Sequence, residues 1–430
     1  MIKSKIIPYF FTWFLLFLSV TVLAQVESSK TDNLFYKKKE LNTGAKLRGN
    51  SEREEFLTDE TRNYEETTTG EANFQFSSRY WKFYDYMQER LEFNFEFGPF
   101  GGFGNWVDSS NVENINADNN LFGIRSRISI DYSNRYYYNQ KNYTLVQIKG
   151  WARYDWFKQN SEGTTVDSFG VSTPYNENSA DTKFRYGFEA KAGWGWGRLN
   201  PMNNFMLSQY ILEKFYAGRN FSDKEIRMVA AEIYNIKSRR EIITGHNSEM
   251  ETKLIADFLN EKMLLTVPDN LETDWEMGEF LPRFNGNRVE GGPFFKYFNR
   301  EPDFIYGAFI QYENAKYSNF NWNRNFSTNI SYNRYKRDDW VVAELNIGWS
   351  YFPNLKKQYD FGVKYVPGVS INNSSATGNF NHGLVPYVGC FSQINSKSRV
   401  EFTFAYRISQ DEKLMLPGPE FSLSFYGSRY

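Results

Sequence analysis

Charged residues at alternating positions are the main candidates for chemistry in this sequence. Within residues 182–196 the charged positions are Lys183, Arg185, Glu189 and Lys191, and the residues between them are aromatic or small and apolar. Successive side chains of a β-strand point to opposite faces, so one face of this segment is apolar and the other is charged. A charged face of this kind could bind and guide small polar solutes, or it could form a salt-bridged wall.

The same alternation predicts further charged residues on the same face of neighbouring strands. The candidates for lining a common interior are Arg90, Glu92, Arg125, Arg127, Lys149, Arg153, Lys183, Arg185, Glu189 and Lys191. Both signs occur, and an isolated charge away from water is costly. The two interpretations are therefore an internal ion-pair network and a polar path whose arginine and lysine residues favour anions.

Residue types that carry catalysis or bind metals are scarce. The chain has two histidines, His246 and His382, and one cysteine, Cys390, so no zinc site, cofactor site or intramolecular disulfide is predicted. Ser374 or Ser375 together with His382 could be imagined as a lipid hydrolase, but no nucleophile-elbow sequence surrounds either serine. The sequence therefore does not predict an enzyme, and a membrane-embedded lipid hydrolase is kept as an alternative.

The first residues predict export. Lys3 and Lys5 precede an apolar run over 6–22, and Ala24 ends the segment with a small residue. This pattern is typical of a signal peptide at 1–24, and a single membrane anchor is the alternative. After residue 24 no stretch approaches the roughly 18 apolar residues of a membrane helix.

The alternation is compatible with two sheet architectures. In a soluble sheet the charged face meets water, whereas in an outer-membrane barrel the aromatic face meets lipid and the charged face lines the interior. Aromatic residues make up 19% of the chain, which suits a lipid-facing wall. Together with the predicted export, this favours an antiparallel transmembrane β-barrel in the bacterial outer membrane, surrounded by outer-membrane lipid.

The strand count depends on two weak segments. About 14 strands are predicted if residues 43–47 form a strand, and about 12 remain possible if residues 290–299 do not, because such barrels have even numbers of strands. Long linkers at 48–70 and 100–120 alternate with short ones, which favours 14.

The net charge of −1 gives no argument for a nucleic-acid partner.

Residues 200–286 interrupt the strand pattern with a helical period, between barrel halves at 25–199 and 287–430. Ser222 followed by Glu225, and Ser248 followed by Glu251, predict capping boxes at two helix starts. Three amphipathic helices are expected, on the periplasmic side if the barrel has 14 strands. They could pack on each other, plug the lumen or dock a periplasmic protein partner. The docking candidates are Tyr210, Ile211, Phe215 and Phe258.

Two short motifs adjoin the insert. A Gly-Trp-Gly-Arg run at 195–198 ends a predicted strand, and a Tyr-Ile-Leu-Glu run at 210–213 follows in the first helix. Together with the signal sequence they resemble an uncharacterised group of Bacteroidetes outer-membrane β-barrel proteins with a helical insert. The resemblance implies the fold and the envelope location, and it implies no activity.

The end of the chain carries a partial assembly signal. An aromatic last residue on a closing strand resembles the signal by which outer-membrane barrels are recognised, but Tyr430 is out of phase with Phe421, Leu423 and Phe425. The register of the last strand is therefore open.

From the sequence, the first functional hypothesis is a porin-like channel or transporter for small polar solutes. The second is a structural or accessory barrel whose insert docks a partner.

Overall fold

The computed structural model describes residues 35–430 apart from 58–61, 110–112, 243–246, 267–269, 280, 301–302, 337, 373–378, 396 and 410–413. The predicted signal peptide at 1–24 lies outside these residues, as do His246, Ser374 and Ser375.

The described residues form fourteen strands, with four helices between the sixth and seventh strands. The strands are β1 (Tyr36–Leu57), β2 (Arg62–Tyr84), β3 (Met87–Ser109), β4 (Glu113–Tyr137), β5 (Asn142–Asp167), β6 (Ser172–Pro201), β7 (Phe284–Phe298), β8 (Phe304–Tyr317), β9 (Trp322–Tyr335), β10 (Asp338–Asn354), β11 (Lys357–Asn372), β12 (Asn379–Gln393), β13 (Ser398–Ser409) and β14 (Gly418–Arg429). The helices are α1 (Asn203–Phe215), α2 (Asp223–Lys237), α3 (Ser248–Met263) and α4 (Leu271–Met277).

Each strand pairs antiparallel with its neighbours in the sequence, and β14 pairs with β1 to close a barrel. The closing register runs from Leu41 opposite Arg429 to Asn50 opposite Glu420. The prediction of 14 strands is confirmed, and 12 is wrong. Residues 43–47 lie within β1, and most of 290–299 lies within β7.

The concave face of the barrel is identified by contacts between strands that are not neighbours. Arg125 on β4 contacts Glu71 on β2, and Arg399 on β13 contacts Glu40 on β1. Such side chains meet only across the inside of a curved sheet. The polar positions therefore point inward, and the alternating apolar positions point outward.

The outward face carries large apolar side chains around the barrel. Phe74 on β2 is 54% exposed, Phe122 on β4 is 63% exposed and Trp194 on β6 is 69% exposed. A water-soluble protein rarely leaves such a continuous apolar surface uncovered. This distribution is the one that a bilayer requires of a spanning barrel.

The helical insert has its own apolar core. The four helices pack around a cluster that includes Leu212, Ile233, Ile255, Leu259 and Trp275, each 0% exposed. Trp275 belongs to α4, a short helix that the sequence analysis did not predict. Burial of the Trp275 indole stabilises this seven-residue helix, because a buried aromatic ring removes a large apolar surface from water.

One of the two predicted helix caps forms as expected. Ser222 and Glu225 make the reciprocal capping box at the start of α2. At α3 the prediction was wrong by one residue, because the Asn247 side chain accepts a hydrogen bond from the Met250 amide at 3.0 Å. Glu251 is thereby left to bond elsewhere in the insert.

A truncation in the core of the insert tests its independent packing. Leu212→Ala is expected to lower the free energy of unfolding of the insert by about 2–5 kcal/mol. The Leu212 side chain is 0% exposed, so its truncation leaves a cavity in the core of the insert. Hydrogen exchange of residues 203–277 in the purified protein measures the loss. Leu254→Ala, at a position that is 39% exposed, is the matched control and should change exchange little. Equal effects at the two positions would contradict the packing described.

Candidate functional site

The candidate site is the interior of the barrel together with the insert at one end. On the inner wall, Arg125 donates from Nε to Asp155 at 2.7 Å and also contacts Glu71. Arg127 donates to both carboxylate oxygens of Glu71, at 2.7 and 2.8 Å, and Arg153 pairs with Asp155 at 2.5 Å. Three arginines and two carboxylates therefore share one network across β2, β4 and β5.

Eight of the ten predicted interior residues are in ion pairs. Besides the arginines above, Arg90 pairs with Glu92 at 2.7 Å. The further pairs are Lys149 with Asp131 at 3.6 Å and Lys191 with Glu189 at 3.1 Å. Most of the charged face is thus an internal ion-pair network, the first of the two interpretations of the sequence.

Lys183 and Arg185 differ from the other eight, since neither forms an ion pair within the described residues. The Lys183 ammonium lies 4.7 Å from the centre of the Phe157 ring. Both residues line a cavity of about 170 Å³ in the half of the barrel away from the insert. Their positive charge is available to a solute, whereas that of Arg125, Arg127, Arg153 and Lys191 is shared with carboxylates.

A larger cavity lies in the middle of the charged wall. Its volume is about 510 Å³, and its lining comes from β1–β5, β13 and β14. It includes Lys46 paired with Glu96 at 2.8 Å, and Arg79 paired with Glu92 at 3.3 Å. The interior is therefore polar and hollow at this level, unlike the filled core of a soluble sheet.

One carboxylate, Glu279, which follows α4, forms ion pairs with both the insert and the barrel. Its oxygens lie 3.3 Å from Lys38 Nζ on β1, 2.6 Å from Lys237 Nζ on α2 and 2.7 Å from Arg240 Nη1. The Glu279 carbonyl accepts a hydrogen bond from Arg399 Nη2 at 2.7 Å. Glu279 was not predicted, because it lies in neither a strand nor a helix and has no periodic pattern around it.

Neighbouring cations control the charge of Glu279. Burial by itself would raise the pKa of this carboxyl group, but Lys237, Arg240 and Lys38 outweigh burial and hold the pKa well below its ordinary value. Glu279 is only 4% exposed. The insert is therefore joined to the wall by a buried cluster in which Glu279 is ionised.

Contacts with several other parts of the barrel end surround this cluster. Lys37 on β1 donates to the Ser238 carbonyl at 2.9 Å, and Tyr317 on β8 donates to Gln209 at 2.6 Å. Leu355, between β10 and β11, is buried in the core of the insert. The insert thus contacts β1, β8, β13 and the turn between β10 and β11 at the end of the barrel where β1 begins and β14 ends.

The predicted docking residues mostly face the insert itself. Ile211 is 0% exposed, and Tyr210, Phe215 and Phe258 pack against the same cluster partly buried. The exposed apolar residues of the insert are instead Met228, Met250, Leu254 and Leu264. Exposure depends on how the helices pack, so the sequence could identify the apolar stripes but not their free sides.

Tyr430 and His382 lie at opposite faces of the wall. Tyr430 is 2% exposed, with its ring 4.7 Å from Lys38 Nζ and 4.8 Å from the Arg399 guanidinium, so its side chain points inward. This agrees with its phase in the sequence. His382 lies among the outward rings of Tyr365 and Phe380, at 6.2 and 5.9 Å.

The described residues contain no group of three or more His, Cys, Asp or Glu residues that could hold a metal ion. No helix within them has the length and apolar character needed to cross a membrane.

Comparison with known proteins identifies no family. No family model and no curated protein matches the sequence. The solved structures that match include the translocator domain of autotransporter NalP from Neisseria meningitidis, with 9% identity, 96% of this chain and 93% of that chain covered, and a TM-score of 0.30. Another is the Pseudomonas putida toluene transporter TodX, with 8% identity, 93% and 90% coverage, and a TM-score of 0.34.

The outer membrane protease OmpT from Escherichia coli also matches, with 8% identity, 94% and 99% coverage, and a TM-score of 0.30. All three TM-scores are below 0.5, so the similarities carry no information about activity. The closed fourteen-strand barrel is established by the strand pairing of the chain itself.

Neutralising the carboxylate at the centre of the cluster tests the attachment of the insert. Glu279→Gln is expected to destabilise the docked insert by about 3–5 kcal/mol, because Lys38, Lys237 and Arg240 lose their shared anion while they are buried. Hydrogen exchange at 203–277 measures this change. Glu344→Gln is the control, since its pair with Lys364 is 46% and 39% exposed, and it should have little effect.

The same carboxylate predicts a dependence on pH. The Glu279 pKa is lower in the folded protein than its ordinary value of 4.5, so its stabilisation is complete above that value and is lost as the pH falls through the folded pKa. Protection of the insert in the wild type should therefore stay level from neutral pH down to about pH 4.5 and fall as the pH is lowered further. In Glu279→Gln this part of the pH dependence should be missing, and an identical pH profile would contradict it.

Proposed function

We propose that the protein is a bacterial outer-membrane barrel that conducts small polar solutes, and that its helical insert closes one mouth of the barrel. The observation that carries the proposal is the hollow, polar interior, with a cavity of about 510 Å³ at the charged wall. A barrel of fourteen strands is wider than its own side chains can fill. The remaining space is polar, which favours water and dissolved solutes over a dry core.

The location is supported by the two faces of the wall. Large apolar side chains point outward around the barrel, and ion pairs point inward. In lipid, a spanning sheet must satisfy all its backbone hydrogen bonds, and the pairing of β14 with β1 leaves no free edge along that seam. Because barrel termini normally face the periplasm, the insert would lie on that side.

The unpaired cations support a preference for anions. Lys183 and Arg185 have no ion-pair partner within the described residues, and both line the cavity in the half away from the insert. Paired arginines contribute little net field, because each lies beside a carboxylate. Two free positive charges at an entrance raise the local concentration of anions.

The insert supports a closed resting state. It contacts β1, β8, β13 and the turn between β10 and β11 at one end of the barrel, and the Glu279 cluster that joins it to the wall is buried. Passage of a solute therefore requires the insert to move or to open. The ion pairs of Glu279 suit this role, because a change of that one carboxylate is sufficient to weaken the attachment of the insert.

Planar-bilayer recording tests both parts of the proposal. The wild type should conduct weakly. Glu279→Gln should conduct more, because the ion pairs that hold the insert to the barrel are weakened. In that open background, Lys183→Gln with Arg185→Gln should lower the anion-over-cation permeability ratio about twofold or more. The control is Asp131→Asn with Lys149→Gln, which removes one charge of each sign and should leave the ratio unchanged. A barrel that stays closed in every variant would contradict the channel.

A second candidate function is an accessory barrel whose insert docks a periplasmic partner. The observation that favours it is the apolar surface of α3, where Met250 is 62% and Leu254 is 39% exposed one helical turn apart. Met250→Glu with Leu254→Glu should then abolish the cellular phenotype of the protein and leave conductance unchanged. A phenotype that instead follows Lys183→Gln with Arg185→Gln would contradict this candidate.

A further inference from the structure

The inner wall on the opposite side of the barrel has a different chemistry from the charged wall. The inward positions of β9 are Asn323, Asn325, Ser327, Asn329, Ser331 and Asn333. They present amides and hydroxyls without interruption and no charge. A cavity of about 320 Å³ is lined by Asn325 of β9 and by residues of β10–β13, and its lining contains no lysine, arginine or glutamate.

The side chain of Tyr387 packs against two glycines of this wall, Gly348 and Gly362. Tyr387 on β12 is opposite Gly362 on β11, which in turn is opposite Gly348 on β10. A Cβ atom built at Gly362 would come within 2.7 Å of Tyr387 Cζ, and one built at Gly348 would overlap the hydroxyl group. The two glycines therefore leave a recess into which the ring folds, so that one of its faces is turned towards the cavity.

The polar groups around this ring have free hydrogen-bonding capacity. Asp360 lines the cavity, and its two carboxylate oxygens each lie 2.9 Å from Gln358 Nε2, with no cation paired to it within the described residues. Asn325, Ser350 and Thr403 also line the cavity, and elsewhere on the same wall the side-chain oxygens of Asn323, Asn329 and Asn346 are buried without a hydrogen-bond partner within the described residues. Buried acceptors of this kind are normally satisfied by water or a ligand.

We infer that this cavity is a binding site for a neutral carbohydrate, which would stack on Tyr387 and hydrogen-bond to Asp360 and Asn325. A sugar ring has an apolar C–H face that packs on an aromatic ring, and hydroxyl groups at its rim that donate to carboxylate and amide oxygens. An unpaired carboxylate in the lining disfavours an anion. The site is separate from Lys183 and Arg185, and binding there does not require that a solute pass through the barrel.

Calorimetric titration of the purified, detergent-solubilised chain with maltose tests the inference. The wild type should bind maltose in the millimolar range and glucuronate more weakly. Tyr387→Leu should weaken maltose binding about tenfold, because the stacking surface is lost. Tyr359→Leu is the control, since it removes the same ring from the outward face of the adjacent strand, where Tyr359 is 40% exposed.

A second variant fills the cavity without disturbing the Tyr387 ring. A Cβ atom at Gly389 would lie 3.6 Å from the nearest atoms, which is ordinary contact, so Gly389→Leu should fold and should abolish maltose binding by occupying the space. Circular dichroism confirms the folded barrel in each variant. If Tyr387→Leu does not fold, Gly389→Leu decides the outcome.

Three results would overturn the site. They are no maltose binding by the wild type, unchanged binding by both interior variants, and tighter binding of glucuronate than of maltose. These results are distinct from failure of the proposed channel. A barrel that binds maltose and loses it in Gly389→Leu, yet never conducts, would remove the channel and leave the carbohydrate site in place.

Discussion

The hydrogen bonds between β14 and β1 turn a long sheet into a closed barrel. A spanning sheet in lipid has no water to satisfy an open edge, and each unsatisfied backbone group there costs several kcal/mol. Closure gives every strand two partners, and it curves the sheet so that alternate side chains meet inside. The ion pairs between non-neighbouring strands, such as Arg399 with Glu40, exist because of this curvature.

Closure also creates an interior with two walls of different character. One wall carries arginines and carboxylates that neutralise each other, as in the network around Glu71 and Asp155. The other carries the amides and hydroxyls of β9, with the Tyr387 ring laid over glycines.

The insert is linked to the barrel by charge as well as by apolar packing. Its own core, around Ile233 and Trp275, holds the helices together. Its contact with the wall centres on Glu279, which is surrounded by cations from both partners. Removal of one member from a buried ion cluster is strongly destabilising. The Glu279 cluster is therefore stable when complete and is weakened by a single substitution, which suits the proposed closure of the barrel mouth by the insert.

The sequence by itself determined the barrel, its two faces and the position of the helices. A period of two places each residue on a known face whatever the partner strand, and the capping box at Ser222 marks a helix start from local hydrogen bonds alone. The alternation of long and short linkers then favoured 14 strands over 12. These features depend on neighbours in the chain, so no distant contact was needed to predict them.

Only the tertiary structure decided which charges are free. Lys183 and Arg153 look alike in the sequence, but Arg153 lies beside Asp155 and Lys183 has no carboxylate partner within the described residues. Glu279 and Tyr387 likewise acquire their surroundings from segments far away in the chain. Ion pairing and burial depend on distances across the barrel, and these distances are fixed only when β14 joins β1.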